Sequence, residues 1–392
     1  MKISKIILLA AGEGSRMYPF SMPKNPKILL PFLGKPLLAW QLESFVKKGF
    51  KDFVIVCNPK NKTKIEKYFY NYTSKQIKIN YAVQSEQLGP SHALWCARKF
   101  FTKDDYLLFK YADSVADSDQ ITPLVKIWKK YPQEAVITLK KIDNPAEYGV
   151  VKFEKLSARD LRNPNLQSSG YITQIIEKPE PEQAPSNFAV IGLGILQAGS
   201  FLKGIGKDNL FKGKKEVVPQ EYVLRQHKKA GWWIYQGKSI DLGRPWNVLE
   251  VNKLFIDLYG EKIFKARHCQ STKAQISKKA YISPSAVINK GCIIGNYSSI
   301  DSAEINANTQ IKNSYIMPGA KIGENSYIES SVIGRNARIG KNFKTKTKAK
   351  KNIKVLVKGK LQETNYKSLG CFIGSGIELK DNFVSQPGEV VL

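Results

Sequence analysis

The sequence is poor in the residues that build metal and redox centres. Its three histidines and five cysteines are scattered over 392 positions, with no CxxC pair and no histidine cluster. That excludes a zinc framework of ordinary spacing and a disulfide scaffold, and fits a reducing cytoplasm. Long apolar runs are missing too. No segment approaches the roughly 18 apolar residues of a membrane span, so no membrane association is expected. Behind Lys2 and Lys5 the run Ile6–Ala11 resembles the core of a secretion leader, but it is too short and a Gly-rich charged stretch follows at once. A soluble, cytoplasmic protein is expected. Acids are scarce: 33 Asp and Glu against 62 Lys and Arg leave a net charge of +29. Most of the excess is lysine spread along the chain, and the densest run, Lys341–Lys360, holds nine lysines and no acid. No nucleic-acid motif accompanies it, so solvated turns are expected there and nucleic acid is not expected as a partner.

What the chain does have is 42% hydrophobic residues, enough for ordinary cores, arranged in two successive patterns. Ile3–Leu9 reads as a buried strand entering a Gly-rich turn. Pro36–Lys48 has helical spacing, with proline at its start and Gly49 at its stop. Phe53–Cys57, Ile77–Val83 and Tyr106–Phe109 read as strands, the last ending at Asp113; Lys62–Tyr72 and Pro90–Phe101 read as helices. This alternation predicts a parallel α/β sheet with helices on both faces. Ligands of such sheets sit at the carboxyl ends of the strands, where Gly12, Gln84 and Asp113 fall.

From about residue 275 the period becomes six. Isoleucine recurs at Ile276, Ile282, Ile288, Ile294 and Ile300, then, with occasional steps of five, at Ile305, Ile311, Ile316, Ile322, Ile328, Ile333 and Ile339. Such hexads predict a parallel β-helix whose isoleucines point into a narrow prism. At three hexads per coil, the twelve positions predict about four coils. Leu249–Tyr259 reads as a connecting helix, which divides the chain into 1–248, 249–263 and 264–392.

The chemistry begins at Gly12-Glu-Gly14-Ser-Arg16, continuing to Pro26-Lys27. Glycines after a strand let backbone N–H groups approach a phosphate, and Arg16 and Lys27 can neutralise a triphosphate losing pyrophosphate. No Gly-Lys-Ser/Thr follows, and Arg16 stands near where a dinucleotide fingerprint needs its third glycine, so neither of those motifs applies. In Gln84–Ala93 the side-chain amide can pair with a donor and an acceptor on a base edge, and Gly89 lets a ring pack closely. His92 in this segment is expected to pack or start a helix. Asp113, at a strand end beside phosphates, is a natural Mg²⁺ ligand. Asp117 and Asp119 read as helix-start residues.

The full string LAAGEGSRMYPFSMPKNPK resembles the signature of the sugar-phosphate nucleotidyltransferases. Asn25 stands where that family often has arginine, with Lys24 beside it, and Ala112 replaces the usual glycine before Asp113. The string SIDLGRPWNVLEVN is similar to the family's second metal segment, with Asn247 in a structural position. IIEKPEPEQAPSNFAVIG resembles the bacterial UTP–glucose-1-phosphate uridylyltransferases, and NIKVLVKGK with LGCFIGSGIELKDNFVSQPG resembles archaeal-type bifunctional uridylyltransferases, so the resemblance covers nearly the whole chain.

The resemblance implies a Rossmann-like nucleotidyltransferase domain followed by a left-handed β-helix. It implies a nucleotide site at Ala11, Gly12, Gly14, Gln84 and Gly89, and a sugar-phosphate site at Gly149, Glu177 and Lys178. Arg16, Lys27 and Asp113 would be catalytic, with Mg²⁺ held by Asp113 and Asp241. The implied substrates are UTP and glucose-1-phosphate or N-acetylglucosamine-1-phosphate, with dTTP giving dTDP-glucose as the nearest alternative. A regulatory subunit that keeps the fold without the chemistry is the alternative of another class. Relatives with an acetyltransferase tail use a histidine base. Beyond residue 250 this chain has only His268, and FKTKTKAKK stands where those relatives carry a small-residue motif. The tail is therefore expected to be structural or to oligomerise the chain, as a trimer through the β-helix or as a dimer.

Overall fold

The computed structural model describes residues 2–21, 25–72, 77–130, 133–154, 171–205, 217–226, 230–264 and 274–392. Lys24 and His268 lie outside the described residues. The chain forms two compact units, residues 1–12 with 38–239 and residues 13–37 with 240–392. The division falls inside the Gly-rich loop, after Gly12, and again after Ser239.

The first unit is built on a nine-stranded sheet. Its strands are β1 (Ile3–Leu9), β2 (Asp52–Cys57), β3 (Lys78–Val83), β4 (Tyr106–Tyr111), β5 (Ala135–Lys141), β6 (Gly149–Glu154), β7 (Tyr171–Glu177), β8 (Phe188–Gln197) and β9 (Ala230–Ile234). They lie in the order β3-β2-β1-β4-β8-β5-β9-β7-β6. The first four are parallel, as the alternation predicts. β8 then runs against both β4 and β5, and β7 against both β9 and β6, while β9 follows β5. Seven of the nine strands therefore share one direction, with four parallel and five antiparallel pairings. β2 shows why these strands read as continuous apolar runs: Phe53, Val54, Ile55, Val56 and Cys57 are all 0% exposed, as in a strand covered on both faces.

The helices of this unit carry narrower apolar stripes. They are α1 (Leu37–Val46, whose first residue groups with the other unit), α2 (Lys62–Phe69), α3 (Pro90–Cys96), α4 (Ile121–Lys130), α5 (Ala198–Ile205) and α6 (Pro219–Leu224). In α4, Ile121, Leu124 and Trp128 are buried at helical spacing. Asp119 caps it as expected, its Oδ1 accepting from the N–H groups of Ile121 (2.9 Å) and Thr122 (3.2 Å) while Lys48 Nζ donates to Oδ2 at 2.5 Å. Asp117 does something else. It accepts from the Lys238 N–H (2.7 Å) and the Tyr235 hydroxyl (2.5 Å), bracing the turn between those residues rather than starting a helix.

In the second unit, α7 (Asn247–Phe264) precedes a prism of parallel two- and three-residue strands. Asn247 begins α7 and its Oδ1 accepts from the Arg244 N–H at 2.8 Å, which is a structural role. The three prism faces hold six, six and five strands. The expected four coils are thus too few. After Thr345 the coil is interrupted by residues 346–371, whose centre is an antiparallel hairpin of Lys354–Val357 with Lys360–Glu363. The hexads then resume in other residues, Ile373, Leu379, Ser385 and Val391, stacked on Ile333, Ile339, Thr345 and Ile373. Coil on coil leaves no room at some corners. A Cβ on Gly334 would lie 2.6 Å from the Gly374 backbone, so glycine is required there. Within the basic run, Lys344, Lys346, Lys348 and Lys350 face solvent while Thr345 and Thr347 are buried.

Candidate functional site

In the first unit, the residues singled out from the sequence gather where the parallel strands end. Beyond β1, Ala10 N–H donates to Val56 O (2.9 Å), and Ala112 N–H donates to Leu9 O (3.0 Å), which sets Asp113 two residues past the β1–β4 register. Three amides then fix the start of the Gly-rich loop. Asn58 Nδ2 donates to Ala11 O at 2.9 Å, Asn61 Nδ2 to Ala10 O at 3.0 Å, and Gln87 Nε2 to Ala11 O at 3.1 Å. Asn58 and Asn61 also exchange backbone-to-side-chain bonds of 3.0 and 2.9 Å. These two buried asparagines escaped the sequence reading. Their signal is an Asn-x-x-Asn spacing directly after a buried strand.

Gln84 follows β3, and its N–H donates to Cys57 O at 2.8 Å. The side chain is 3% exposed, and its Nε2 lies 3.0 Å from Gly89 O and 3.2 Å from His92 Nδ1. Gly89 O can only accept, which fixes the orientation of the amide, while His92 Nδ1 accepts in one tautomer. One end of the group expected to read a base is thus committed to closing its own loop. His92 Nδ1 is also 3.0 Å from Glu86 O, so it can accept from Gln84 or donate to Glu86, not both. Burial holds the His92 imidazole below its ordinary value, only partly offset by the bond to Glu86, which favours the neutral ring. His92 is a packing residue at the start of α3, as expected from the sequence.

Gly149 and Glu177 are cross-strand partners on β6 and β7. A Cβ on Gly149 would lie 2.8 Å from Glu177 Oε2, so the glycine makes the space the carboxylate occupies. Lys178 follows in the left-handed region (φ 49°), its N–H donating to Tyr148 O at 2.9 Å and its Nζ 3.8 Å from Glu177 Oε1. A non-glycine residue held there is strained by roughly 1 kcal/mol or more, a feature that concentrates at ligand clamps. Glu221, whose carboxyl is raised by burial against the pull of Ile175 N–H and Arg225, accepts from Ile175 N–H at 3.1 Å and holds this end of β7. The two groups of residues are linked. Ser91, two residues past Gly89, donates through both N–H (3.3 Å) and Oγ (2.5 Å) to Val217 O, and Val218 packs beside Gly149, 3.8 Å from where its Cβ would be.

In the second unit, Gly14 (φ 68°) lies against Ser21 and Lys27. A Cβ there would meet Ser21 Oγ at 2.5 Å and Lys27 Cγ at 3.2 Å, so the turn is closed to larger residues. Lys27 is 7% exposed, on a 3-10 turn over Lys27–Leu29. Arg16 reaches the loop after Asp241, its Nη2 3.8 Å from where a Cβ on Gly243 would be. Gly14 is thus set against Lys27, and Arg16 against the Asp241 loop. Among the described residues no group of three or more His, Cys, Asp or Glu could hold a metal by itself, and no helix is long and apolar enough to cross a membrane.

Residues 5–253 match the family model described as Nucleotidyl transferase, and residues 276–391 match the one described as GMPPB C-terminal domain. The chain is 27% identical to a low-salt glycan biosynthesis nucleotidyltransferase, Agl11, of Haloferax volcanii, over 72% of this chain and 73% of that one. It is 28% identical to the bifunctional protein GlmU of Methanococcus vannielii, over 77% and 74% of the two chains, whereas it spans 61% of the length of the Methanococcus maripaludis protein of that name. A solved UDP-glucose pyrophosphorylase from Acinetobacter baumannii shares the fold over 68% of this chain and 100% of its own, with a TM-score of 0.53 at 18% identity. The chain belongs to the nucleotidyl transferase family, among its sugar-1-phosphate nucleotidyltransferases.

Proposed function

We infer that the protein transfers the uridylyl group of UTP to a sugar-1-phosphate, glucose-1-phosphate or N-acetylglucosamine-1-phosphate, giving a UDP-sugar and pyrophosphate. The observation that carries this reading is the Ser91–Val217–Val218 link, which ties the Gln84–Gly89 loop to Gly149, Glu177 and Lys178. A base-binding loop coupled to an anion-and-hydroxyl site is what a two-substrate transfer requires. An oxygen of the sugar phosphate attacks the α-phosphorus as the bond from that phosphorus to the β-phosphate oxygen breaks, and pyrophosphate leaves. The attacking oxygen is already anionic, so no general base is needed. Catalysis rests on positioning and charge.

Lys178 holds the sugar phosphate, Glu177 accepts from sugar hydroxyls, and Arg16, Lys27 and the N–H groups of Gly12–Gly14 take the charge that gathers on the leaving pyrophosphate. Mg²⁺ would be held by the carboxylates of Asp113 and Asp241 with substrate phosphate oxygens, and would supply further neutralisation. Two carboxylates with phosphate oxygens are a donor set that fits such a cation.

The nucleotide rests on Gln84. With its nitrogen committed to Gly89, the amide offers a base its carbonyl, an acceptor. Uracil, thymine and guanine present a ring N–H to such a group, whereas cytosine and adenine present only an exocyclic amino group. GTP is therefore the second reading, favoured by that single acceptor and by the mannose-1-phosphate guanyltransferase of Aspergillus oryzae among the relatives, 26% identical over 74% of this chain. A panel of UTP, dTTP, GTP, CTP and ATP against the sugar-1-phosphates, read as pyrophosphate release, tests this. Turnover greatest with UTP is expected. Preference for GTP would establish the second reading, preference for CTP or ATP would overturn the role of Gln84, and binding without release would indicate a regulatory subunit.

A further inference from the structure

The three faces of the prism are not equivalent. On each strand one residue points inward and its neighbour outward. On two faces the outward row is polar or exposed: Gln275, Gln310 and Lys344 on one, Lys321, Arg338 and Glu378 on the other, and even the apolar members there, Ile293 (39%), Val384 (43%) and Val287 (54%), face solvent. On the third face the outward residues of the first five strands are Tyr281, Ser299, Tyr315, Val332 and Phe372, none above 1% exposed, and only Val390 on the last strand is half-buried.

What covers that face is the phosphate loop and the helix after Asp241. Phe20 packs edge-on against Phe372, with ring centroids 6.3 Å apart, and Pro19 Cβ is 3.3 Å from where a Cβ on Gly374 would be. At the far end of the loop, the Tyr315 hydroxyl donates to Pro31 O, Phe32 lies 5.8 Å from the Tyr315 ring, and the Tyr281 hydroxyl fills the space beside Gly34. Phe32 also stacks on Phe255 of α7 (5.4 Å), and α7 is fixed to the same face by Asn252, which accepts from Ser299 Oγ at 2.6 Å and donates to Tyr297 O at 2.8 Å. Arg16 lies four residues before Phe20, and Lys27 four residues before Pro31. Both cations of the loop therefore sit just inside two anchor points on one rigid surface.

We propose that this face of the β-helix is the seat of the triphosphate loop, and that Tyr315 and Phe372 are positioning residues that set Arg16 and Lys27 for the departing pyrophosphate. The β-helix is then part of the transfer machinery rather than an appended scaffold. This proposal rests on the nucleotidyl-transfer reading, and its test separates the two. Full-length wild type, Tyr315→Phe, Phe372→Leu and a control, Tyr327→Phe, are assayed for pyrophosphate release and for product inhibition by added pyrophosphate. The control removes a hydroxyl of the same kind from another face, where it donates to Glu329 at 2.8 Å.

Tyr315→Phe is expected to lose about 10- to 100-fold in kcat/KM for the triphosphate, the scale on which a small misplacement acts. Its inhibition constant for pyrophosphate should rise about tenfold while KM for the sugar phosphate stays within about twofold, because only the loop is displaced. Phe372→Leu should move the same constants less. An active wild type with Tyr315→Phe indistinguishable from Tyr327→Phe would overturn the proposal and leave nucleotidyl transfer standing. A loss shared equally by all ligands, with a lowered melting temperature, would also overturn it, since that is plain destabilisation. If the wild type releases no pyrophosphate with any substrate pair, the functional reading fails. Calorimetric binding of pyrophosphate to wild type and Tyr315→Phe then decides the positioning claim, and equal affinities would sink it.

Discussion

The residues of the first unit and those of the second are held in place by different physics. Around Gln84, Gly149 and Glu177 the fixing is polar. Side-chain amides, a half-buried carboxyl and Ser91 bind backbone groups at 2.5 to 3.3 Å, each contact with a defined direction. Around Arg16 and Lys27 it is largely apolar, with aromatic rings seated on a row of Tyr281, Tyr315 and Phe372. Directional bonds suit the proposed role of these residues in selecting base and sugar, since a wrong partner leaves a buried polar group unpaired. A broad aromatic seat suits the role proposed for Arg16 and Lys27, which needs only fixed charge.

That contrast can be broken at several points. The largest effect is expected at Asp113→Asn, which keeps size and fold but removes the charge assigned to the metal. Turnover should fall below about one part in a thousand with an unchanged melting temperature, and near-normal pyrophosphate release would remove Asp113 from the mechanism. Arg16→Ala should cost about 100-fold in kcat, and added guanidinium should restore part of it. Gly149→Ala comes next. The new methyl must push the Glu177 carboxylate aside, so KM for the sugar phosphate should rise about tenfold with KM for the triphosphate constant; the reverse pattern would move the sugar site elsewhere.

The smallest effect concerns acidity. The His92 ring is held below its ordinary value by burial. Its contribution is complete above the unfolded value near 6.5 and is lost as pH falls through the lower folded value. Protonation turns Nδ1 into a donor, which must release Gln84 and keep Glu86. Between pH 7 and about 5.5, KM for the nucleotide should therefore rise about two- to threefold. In His92→Asn that acid limb should flatten, and an unaltered limb would assign it to another group.

Much of this architecture was legible in the sequence because periodicity is a direct imprint of packing. Ile276 to Ile339 recorded every coil up to residue 345, and the β-strand runs recorded a sheet buried on both faces. The count of coils failed where residues 346–371 interrupt the repeat and where Ser385 and Leu379 take isoleucine's place. The reversal of β7 and β8 was invisible because an apolar run carries no direction. The candidate residues for phosphate and sugar follow from their chemistry and from the family resemblance, but what holds them does not. Asn58 and Asn61 act through backbone carbonyls, Gln84 spends an amide nitrogen on its own loop, and Tyr315 reads as one more residue beside a hexad isoleucine. The outward row separates from its neighbours once every third hexad is aligned, when Tyr281, Tyr315 and Phe372 fall in one column.

The central claim is that a nucleotidyl group, the nucleoside with its α-phosphate, moves from a nucleoside triphosphate to a sugar phosphate. It is tested most directly with UTP labelled at the α-phosphorus, incubated with glucose-1-phosphate or N-acetylglucosamine-1-phosphate. The account predicts that the label appears in UDP-sugar, with one pyrophosphate formed for each. Label appearing in free UMP, or UDP-sugar absent for every triphosphate and sugar tried, would contradict it.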